Sequence, residues 1–238
     1  CQNQDIADSN APIAADLQDV LVHAAKRLAS RYAAVPAADR PAELAALLED
    51  ALFVTVTNVN FDPASIIAHI RRIVAAAGSF ADVAANADET ALVGWAHASQ
   101  IEPRKATLGA DVTGLQELLL YGLKGMAAYA HHARQMNRTD PVVDAFTVEA
   151  LAKLDAGVAD VNELIALNLK CGEVTVNVLA LLDKAHCDTF GKPEPTPVLM
   201  GHVPGKAILV SGHDMVDLKA LLEQTEGKGI NIYTHGEM

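Results

Sequence analysis

The sequence predicts a mainly α-helical protein in which two repeated three-helix bundles are followed by the first β-α-β unit of an α/β domain. Three observations carry this prediction: an internal repeat of amphipathic segments, a proline-rich break near residue 193, and a strand–helix–strand pattern after it. Composition agrees, because hydrophobic residues make up 51% of the 238 residues and aromatic residues only 4%. Alanine, the best helix former, is abundant.

Two segments of the chain match without a gap at an offset of 98 residues. Asp16-Leu-Gln-Asp-Val-Leu-Val-His-Ala-Ala-Lys-Arg-Leu-Ala aligns with Gly114-Leu-Gln-Glu-Leu-Leu-Leu-Tyr-Gly-Leu-Lys-Gly-Met-Ala, and the identical pairs include Gln18/Gln116 and Lys26/Lys124. Apolar residues recur at steps of three and four in both, which indicates amphipathic helices. Chance similarity of two such helices is the alternative, but gapless identity favours an internal duplication.

Each repeated segment is followed by a break and then by more helical pattern. We expect the first repeat to span about 12–80, with further helices over 42–56 and 64–77, the last starting at Asp62-Pro63. The second repeat spans about 108–190, with helices over 143–154 and 161–184. The weaker pattern over 80–105 predicts a connection with a short helix around 91–98.

The helical domain is expected to cover residues 1–195. Pro193, Pro195 and Pro197 then exclude a regular helix and favour an extended linker. Residues 196–238 read as the incomplete start of a Rossmann-like α/β domain, because two apolar strands flank a helical stretch. A two-stranded parallel sheet cannot shield its own faces and edges, so we expect a missing C-terminal portion or a second chain to complete it.

Charge and cysteine content narrow the function classes. The formal net charge of −12 argues against nucleic acid as a partner. The three cysteines (Cys1, Cys171, Cys187) match no disulfide framework and no common metal-binding spacing, so Cys171 and Cys187 are expected to be structural thiols. No uninterrupted apolar run of about 18 residues and no signal peptide is visible, so we expect a cytoplasmic protein with no membrane partner.

Histidines at the ends of the two predicted strands are the best candidates for chemistry. Ser211-Gly-His213-Asp214 and Thr234-His235-Gly-Glu237 each place titratable groups beyond an apolar strand, where α/β sheets collect ligands. Imidazole suits iron or zinc, and for His235 a ligand role is favoured over a structural one. Asp214 is also expected to cap the following helix. His131 and His132 adjoin on a helix and point about 100° apart, so a solvent-facing or capping pair is favoured there.

At these residues the chain resembles the hybrid cluster protein family (prismane proteins, hydroxylamine reductases). The resemblance is carried by Ala15-Asp-Leu-Gln-Asp, by Thr57-Asn-Val-Asn-Phe-Asp, by Gly114-Leu-Gln-Glu-Leu-Leu-Leu-Tyr-Gly-Leu-Lys-Gly-Met-Ala-Ala-Tyr-Ala, by residues 181–195, by Ile208-Leu-Val-Ser-Gly-His-Asp and by residues 222–238. Only the stretch 75–104 matches poorly. The last block, ending Tyr233-Thr-His-Gly-Glu-Met, is the most specific.

The resemblance implies two iron–sulfur centres in the intact protein. One is bound by four cysteines near the N-terminus; the other is a hybrid iron–sulfur–oxygen cluster ligated by a histidine, glutamates and cysteines. That histidine falls on His235, and Cys1 is then a remnant of the N-terminal motif, whose other cysteines have no counterpart here. Either the rest of that motif lies upstream, or this member of the family has lost that centre. The remaining hybrid-cluster ligands also have no counterpart. His213 and Glu237 are candidates for orienting the ligand or supplying protons.

The resemblance also implies an activity. We expect this chain to be the N-terminal part or a subunit of an oxidoreductase that reduces hydroxylamine to ammonia, with related nitric-oxide reduction and a redox electron donor as partner. With three scattered cysteines, the chain alone is expected to hold no complete cluster and to be inactive. The alternative is a non-catalytic helical scaffold or partner subunit of such a complex.

Overall fold

The computed structural model describes residues 11–56, 59–78, 80 and 87–235. Within them the protein is mainly helical and has one small two-stranded parallel sheet. The helices are α1 (Ala11–Tyr32), α2 (Leu44–Phe53), α3 (Pro63–Ala76), α4 (Glu89–Ala96), α5 (Ile101–Leu108), α6 (Ala110–Gln135), α7 (Pro141–Asp155), α8 (Val161–Phe190) and α9 (Met215–Thr225), and the strands are β1 (Lys206–Val210) and β2 (Ile230–Thr234).

Aspartates start the helices where the sequence predicts it. Asp62 Oδ1 accepts a hydrogen bond from the backbone N–H of Ala64 at 3.1 Å, and Pro63 occupies the first position of α3. At the matching position of the second repeat, Asp160 Oδ1 accepts from Glu163 N–H at 2.8 Å and caps α8. Each cap satisfies a backbone donor that the first turn would leave unpaired. The helix-capping aspartate is therefore repeated at the same 98-residue offset as the sequence.

The packing partners of the helices repeat together with the sequence. The long helix α1 lies mainly against α3 and α7, while its counterpart α6 lies mainly against α8 and α2. The shorter middle helices are thus exchanged: α2 covers the helix that opens the second set, and α7 covers the helix that opens the first. Matched positions such as Leu21/Leu119 and Leu28/Met126 are fully buried in one continuous core.

A long-range hydrogen bond also occurs twice. Gln18 Nε2 donates to the backbone carbonyl of Asn60 at 2.7 Å, and Gln116 Nε2 donates to the carbonyl of Val158 at 2.7 Å. Both bonds span 42 residues and tie the start of a long helix to the loop before the third helix of its own set. Gln116 is almost fully buried. Its amide therefore supplies a hydrogen bond to the Val158 carbonyl, which would otherwise be desolvated without a partner.

The connection between the two sets contains more helix than the sequence predicts. The short helix expected around 91–98 is present as α4 followed by a 3-10 turn at His97–Ser99. Helix α5, in contrast, covers a stretch that we expected to be irregular up to residue 105. Arg104 explains it, because its Nε donates to the carbonyl of Ser99 and its Nη1 to Gln116 Oε1, both at 2.8 Å, while Nη2 pairs with Glu117. These tertiary contacts hold a helix that buries no residue of its own.

The sheet follows an exposed linker. Residues 191–205 form no helix, as the three prolines predict, and they are exposed throughout. Strands β1 and β2 then pair in parallel, from Lys206 opposite Ile230 to Val210 opposite Thr234, and α9 connects them. Leu209 is largely exposed on β1, as expected for a sheet with too few strands to cover itself.

Among the residues that the structure describes, α8 is one helix that is long and apolar enough to cross a membrane by length and composition alone. Its 30 residues include a buried face with Leu164, Cys171 and Val178, which packs on α6. Core helices of water-exposed domains share this composition, so the finding carries no conclusion about location.

Candidate functional site

The candidate site lies where the two parallel strands end. Because parallel strands share their direction, their carboxyl ends meet at one edge of the sheet. The backbone N–H of His235 donates to the carbonyl of Val210 at 2.8 Å, which continues the strand pairing by one residue. His235 is thereby held beside the turn 211–214 that leaves β1. Its side chain is exposed and can accept a partner from outside the described residues.

The turn after β1 is shaped by a glycine and an aspartate. Gly212 has a φ of 137°, a conformation that side-chain-bearing residues rarely adopt. Asp214 then starts α9, since its Oδ1 accepts hydrogen bonds from Val216 N–H at 2.9 Å and Asp217 N–H at 3.0 Å. His213, between them, is exposed. Asp214 therefore caps α9, as the sequence predicts.

The second carboxylate oxygen of Asp214 faces the helical region. Asp214 Oδ2 lies 3.6 Å from His132 Nδ1 near the end of α6. Both side chains are mostly buried, with 27% and 23% of their surfaces exposed. Asp214 thus faces two elements at once: one oxygen caps α9 and the other meets the helices, next to the turn that carries His213.

The neighbouring histidine has its own carboxylate. His131 Nδ1 lies 3.0 Å from Asp50 Oδ1 of α2, and the ring of Phe53 stacks on His131 with centroids 4.4 Å apart. The expectation of a solvent-facing or capping pair was therefore wrong for His131 and His132. They do diverge around the helix, as adjacent residues must, but each points to an acidic residue on another element.

The surroundings of His132 and Asp50 lower the pKa of both side chains. Burial, followed by the charges of His131 and His186, lowers the pKa of His132, although the carboxylate of Asp214 opposes the shift. Burial would raise the pKa of Asp50, but the hydrogen bond and charge of His131 hold it below its ordinary value. His132 is therefore a weak base, kept close to a carboxylate.

The predicted site residues divide into described and undescribed ones. His235 and His213 sit at the shared edge of the sheet. Cys1, Gly236 and Glu237 lie outside the described residues. Cys171 is buried against α6, where a Cβ on Gly122 would lie 3.0 Å from its Sγ, and burial raises the pKa of its thiol. Cys187 is a free thiol that is only partly buried. The Asp214–His132 and Asp50–His131 contacts had no signal in the sequence, because each joins residues far apart in the chain.

Within the part of the chain that the structure describes, the donor side chains do not form a complete iron–sulfur site. Among the described residues no group of three or more His, Cys, Asp or Glu side chains could hold a metal ion. Imidazole binds iron well, and the exposed ring of His235 offers one such ligand. A cluster would therefore need most of its ligands from elsewhere.

Comparison with known proteins gives a consistent result. The chain is 46% identical over 267 aligned residues to the hydroxylamine reductase of Rhodospirillum rubrum, covering 100% of this chain and 47% of that protein. It is 44% identical to the hydroxylamine reductase of Zymomonas mobilis, covering 95% of this chain and 44% of that protein. For the hydroxylamine reductase of Solidesulfovibrio magneticus the identity is 42%, with 95% and 45% covered.

The chain spans a little under half the length of the curated relatives that it matches, and it corresponds to their N-terminal part. A family model also matches residues 10–238, which is nearly the whole chain, including both sets of helices, the linker and the sheet. The chain belongs to the Prismane/CO dehydrogenase family.

Proposed function

We propose that the chain is the N-terminal part of an iron–sulfur oxidoreductase that reduces hydroxylamine to ammonia, with related nitric-oxide reduction. The observation that carries this proposal is the similarity to hydroxylamine reductases along residues 10–238, at 42 to 46% identity in the relatives named above. In this proposal the enzyme takes its electrons from a redox electron donor. A cytoplasmic location is part of the same proposal.

His235 is proposed as the ligand that this chain gives to the hybrid iron–sulfur–oxygen cluster. Two features support it: its backbone is fixed at the carboxyl edge of the sheet by the bond to Val210, and its imidazole is exposed there. A ligating histidine is oriented by a hydrogen bond to its second nitrogen. His213 and Glu237 are proposed to provide that orientation or to supply protons. Cys1 is proposed as a remnant of the four-cysteine motif for the second cluster.

The finer domain organisation belongs to the same proposal. The helical domain covers 1–195 and consists of two duplicated three-helix units, supported by the repeated caps, glutamine bonds and packing partners. Residues 196–238 begin a Rossmann-like α/β domain whose further strands come from the rest of the polypeptide. In the alternative, the chain is a non-catalytic scaffold subunit, which the uncovered sheet also allows.

Replacing His235 by alanine in the intact polypeptide tests the assignment. We expect the hybrid-cluster signal in electron paramagnetic resonance and the hydroxylamine reductase activity to be lost, while far-ultraviolet circular dichroism stays unchanged because the substitution lies outside the helices. His202→Ala, in the exposed linker, is the control and should keep both cluster and activity. A His235→Ala protein with an unchanged cluster signal and full turnover would show that another residue fills this role.

A further inference from the structure

Helix α8 has a second apolar face that nothing in the described structure covers. Val161, Ile165, Leu169, Val176 and Leu179 are exposed, with Leu169 at 71% and Val176 at 64%. Their spacing of three, four and seven residues places them on one side of the helix, together with Gly172. The buried face with Cys171 is separate. A surface helix of a globular protein typically has charged and polar residues on the face that points away from the core.

Helix α6 has a matching exposed face. Leu118, Tyr121 and Tyr129 are exposed, and Gly114 and Gly125 lie on the same side by helical spacing. His132, which meets Asp214, continues this row one turn later. The row therefore runs along α6 to the junction with the α/β segment.

The two rows form one surface. Helices α6 and α8 run in the same direction, since Asn168 Nδ2 donates to the carbonyl of Leu115 near their starts and Arg138 pairs with Asp188 near their ends. Their closest approach is at Gly122 and Cys171. In two parallel helices, the positions next to this contact, Tyr121 on α6 and Gly172 on α8, turn to the same side. We call this surface the α6–α8 face.

The first set of helices shows what such a face does when it is covered. The positions of Leu118 and Tyr121 correspond to Val20 and His23 on α1. Val20 is 0% exposed whereas Leu118 is 58% exposed. Helix α4 packs on α1 there, and the ring of its Trp95 lies edge-on to His23 with centroids 4.5 Å apart. The first set thus carries its own cover, and no described residue of this chain provides one for the second.

We propose that the α6–α8 face is the docking surface for the C-terminal half of the intact polypeptide, which lays an apolar segment across α6 and α8 as α4 lies across α1. This rests on the proposed function, in which the chain is the N-terminal part of a longer enzyme. The relatives have more than half of their length beyond the matched region. The face also ends at His132, which meets Asp214 in the turn after β1, and that turn lies beside His235 at the end of β2. Contiguous exposed apolar surface of this kind marks an interaction site.

Two adjacent residues of α8, which point about 100° apart, give a matched test. Val176 lies on the face and Asn177, also exposed, lies away from it. Val176→Cys and Asn177→Cys are made in the chain alone and in the chain joined to the C-terminal portion of the Rhodospirillum rubrum relative. Maleimide labelling is followed peptide by peptide by mass spectrometry, so that Cys171 and Cys187 do not interfere. We expect both thiols to react alike in the chain alone, and Val176→Cys to react at least about tenfold more slowly in the joined protein.

Other outcomes would overturn the proposal. Equal labelling of both sites in a folded joined protein would show that the face stays open. Protection in the chain alone that grows with protein concentration would assign the face to a second copy, and protection only with phosphatidylglycerol vesicles would assign it to a membrane. A joined protein that aggregates while the chain alone stays soluble would also count against it.

A second pair of variants separates docking from folding. Val176→Glu should leave the melting temperature of the chain alone unchanged, because Val176 is exposed there, but should lower that of the joined protein more than Asn177→Glu does. Equal shifts for the two variants would contradict the proposal. Hydroxylamine reductase activity is measured separately: protection of Val176 without activity would overturn the proposed function and leave the docking surface standing.

Discussion

Lys26 is a charged side chain enclosed in the middle of α1, with 6% of its surface exposed. Burial, and next the charge of Arg104, lowers its pKa to about 8, against the attraction of Glu117, Asp155 and Asp19. In the unfolded chain a lysine keeps a pKa of about 10.4. Between these two values the unfolded state binds more protons, so stability contributed by this site rises with pH from about 8 to about 10.4.

Lys26→Met should therefore change the pH dependence of unfolding. Relative to the variant, the wild-type protein is expected to gain up to about 3 kcal/mol in free energy of unfolding as the pH rises through this window, because the cost of burying the ammonium disappears. Urea unfolding followed by circular dichroism at pH 7.5, 9 and 10 measures the difference. Lys105→Met, at an exposed position of α5, is the control and should track the wild type. A constant gap between Lys26→Met and wild type would mean that Lys26 does not titrate as its burial requires.

Single residues also show how far the sequence predicts the candidate site. His235, His213 and Asp214 could be placed at strand ends because apolar runs followed by Gly or polar residues mark those ends locally. The contacts of Asp214 with His132 and of Asp50 with His131 could not, because they depend on where α6 meets the sheet and α2. A histidine pair in sequence gives no sign of which carboxylates face it.

At the scale of elements, Asp214 joins the start of α9 to the end of α6. Asp214→Asn should keep α9, because asparagine caps helices about as well as aspartate. It removes the charge that favours protonated His132, so we expect the pKa of His132 to fall further below its ordinary value. NMR titration of the His132 ring measures this shift, with Asp217→Asn in the first turn of α9 as control. An unchanged His132 titration in the Asp214→Asn protein would show that the two groups do not interact.

The contact between Asp214 and His132 also affects how the stability of the protein depends on pH. His132 has a lowered pKa in the folded state, so the unfolded state binds more protons as the pH falls through about 6.5. Acidification there costs stability, and Asp214→Asn should make that cost larger.

The helices themselves were largely predictable, because apolar spacing, Asp-Pro starts and proline breaks are local signals. The ends of α2, α3 and α7 fall within a few residues of their expected positions. Helix α5 was not predicted, because it is stabilised by contacts of Arg104 with Ser99, Gln116 and Glu117 that the local sequence pattern does not show. The exchange of α2 and α7 between the two sets could not be predicted either, because the apolar spacing of a helix shows which face it buries but not which helix it packs against.

For the whole molecule, the linker 191–205 separates the helical region from the sheet. Val198, Leu199 and Met200 are apolar and exposed, at 72%, 73% and 92%. Thermolysin, which cuts before such apolar residues, should cleave first between residues 197 and 201 and leave a helical fragment that resists further digestion. Mass spectrometry locates the cut and circular dichroism checks the fragment. First cleavage within α6 or α8 would contradict a domain boundary in this linker.

The exchange of the middle helices has a consequence for how the protein is made. When α1, α2 and α3 have left the ribosome, α2 still lacks α6, and α1 still lacks α7. Leu48 and Leu52 of α2 are fully buried in the complete fold. At this stage they still lack α6, the main packing partner of α2. The first set cannot complete a core of its own at this stage, so a nascent chain of which only α1, α2 and α3 have emerged presents apolar helix faces to chaperones. The helical region completes its packing only after α8 has also been synthesised, because α8 packs on α6 and α7.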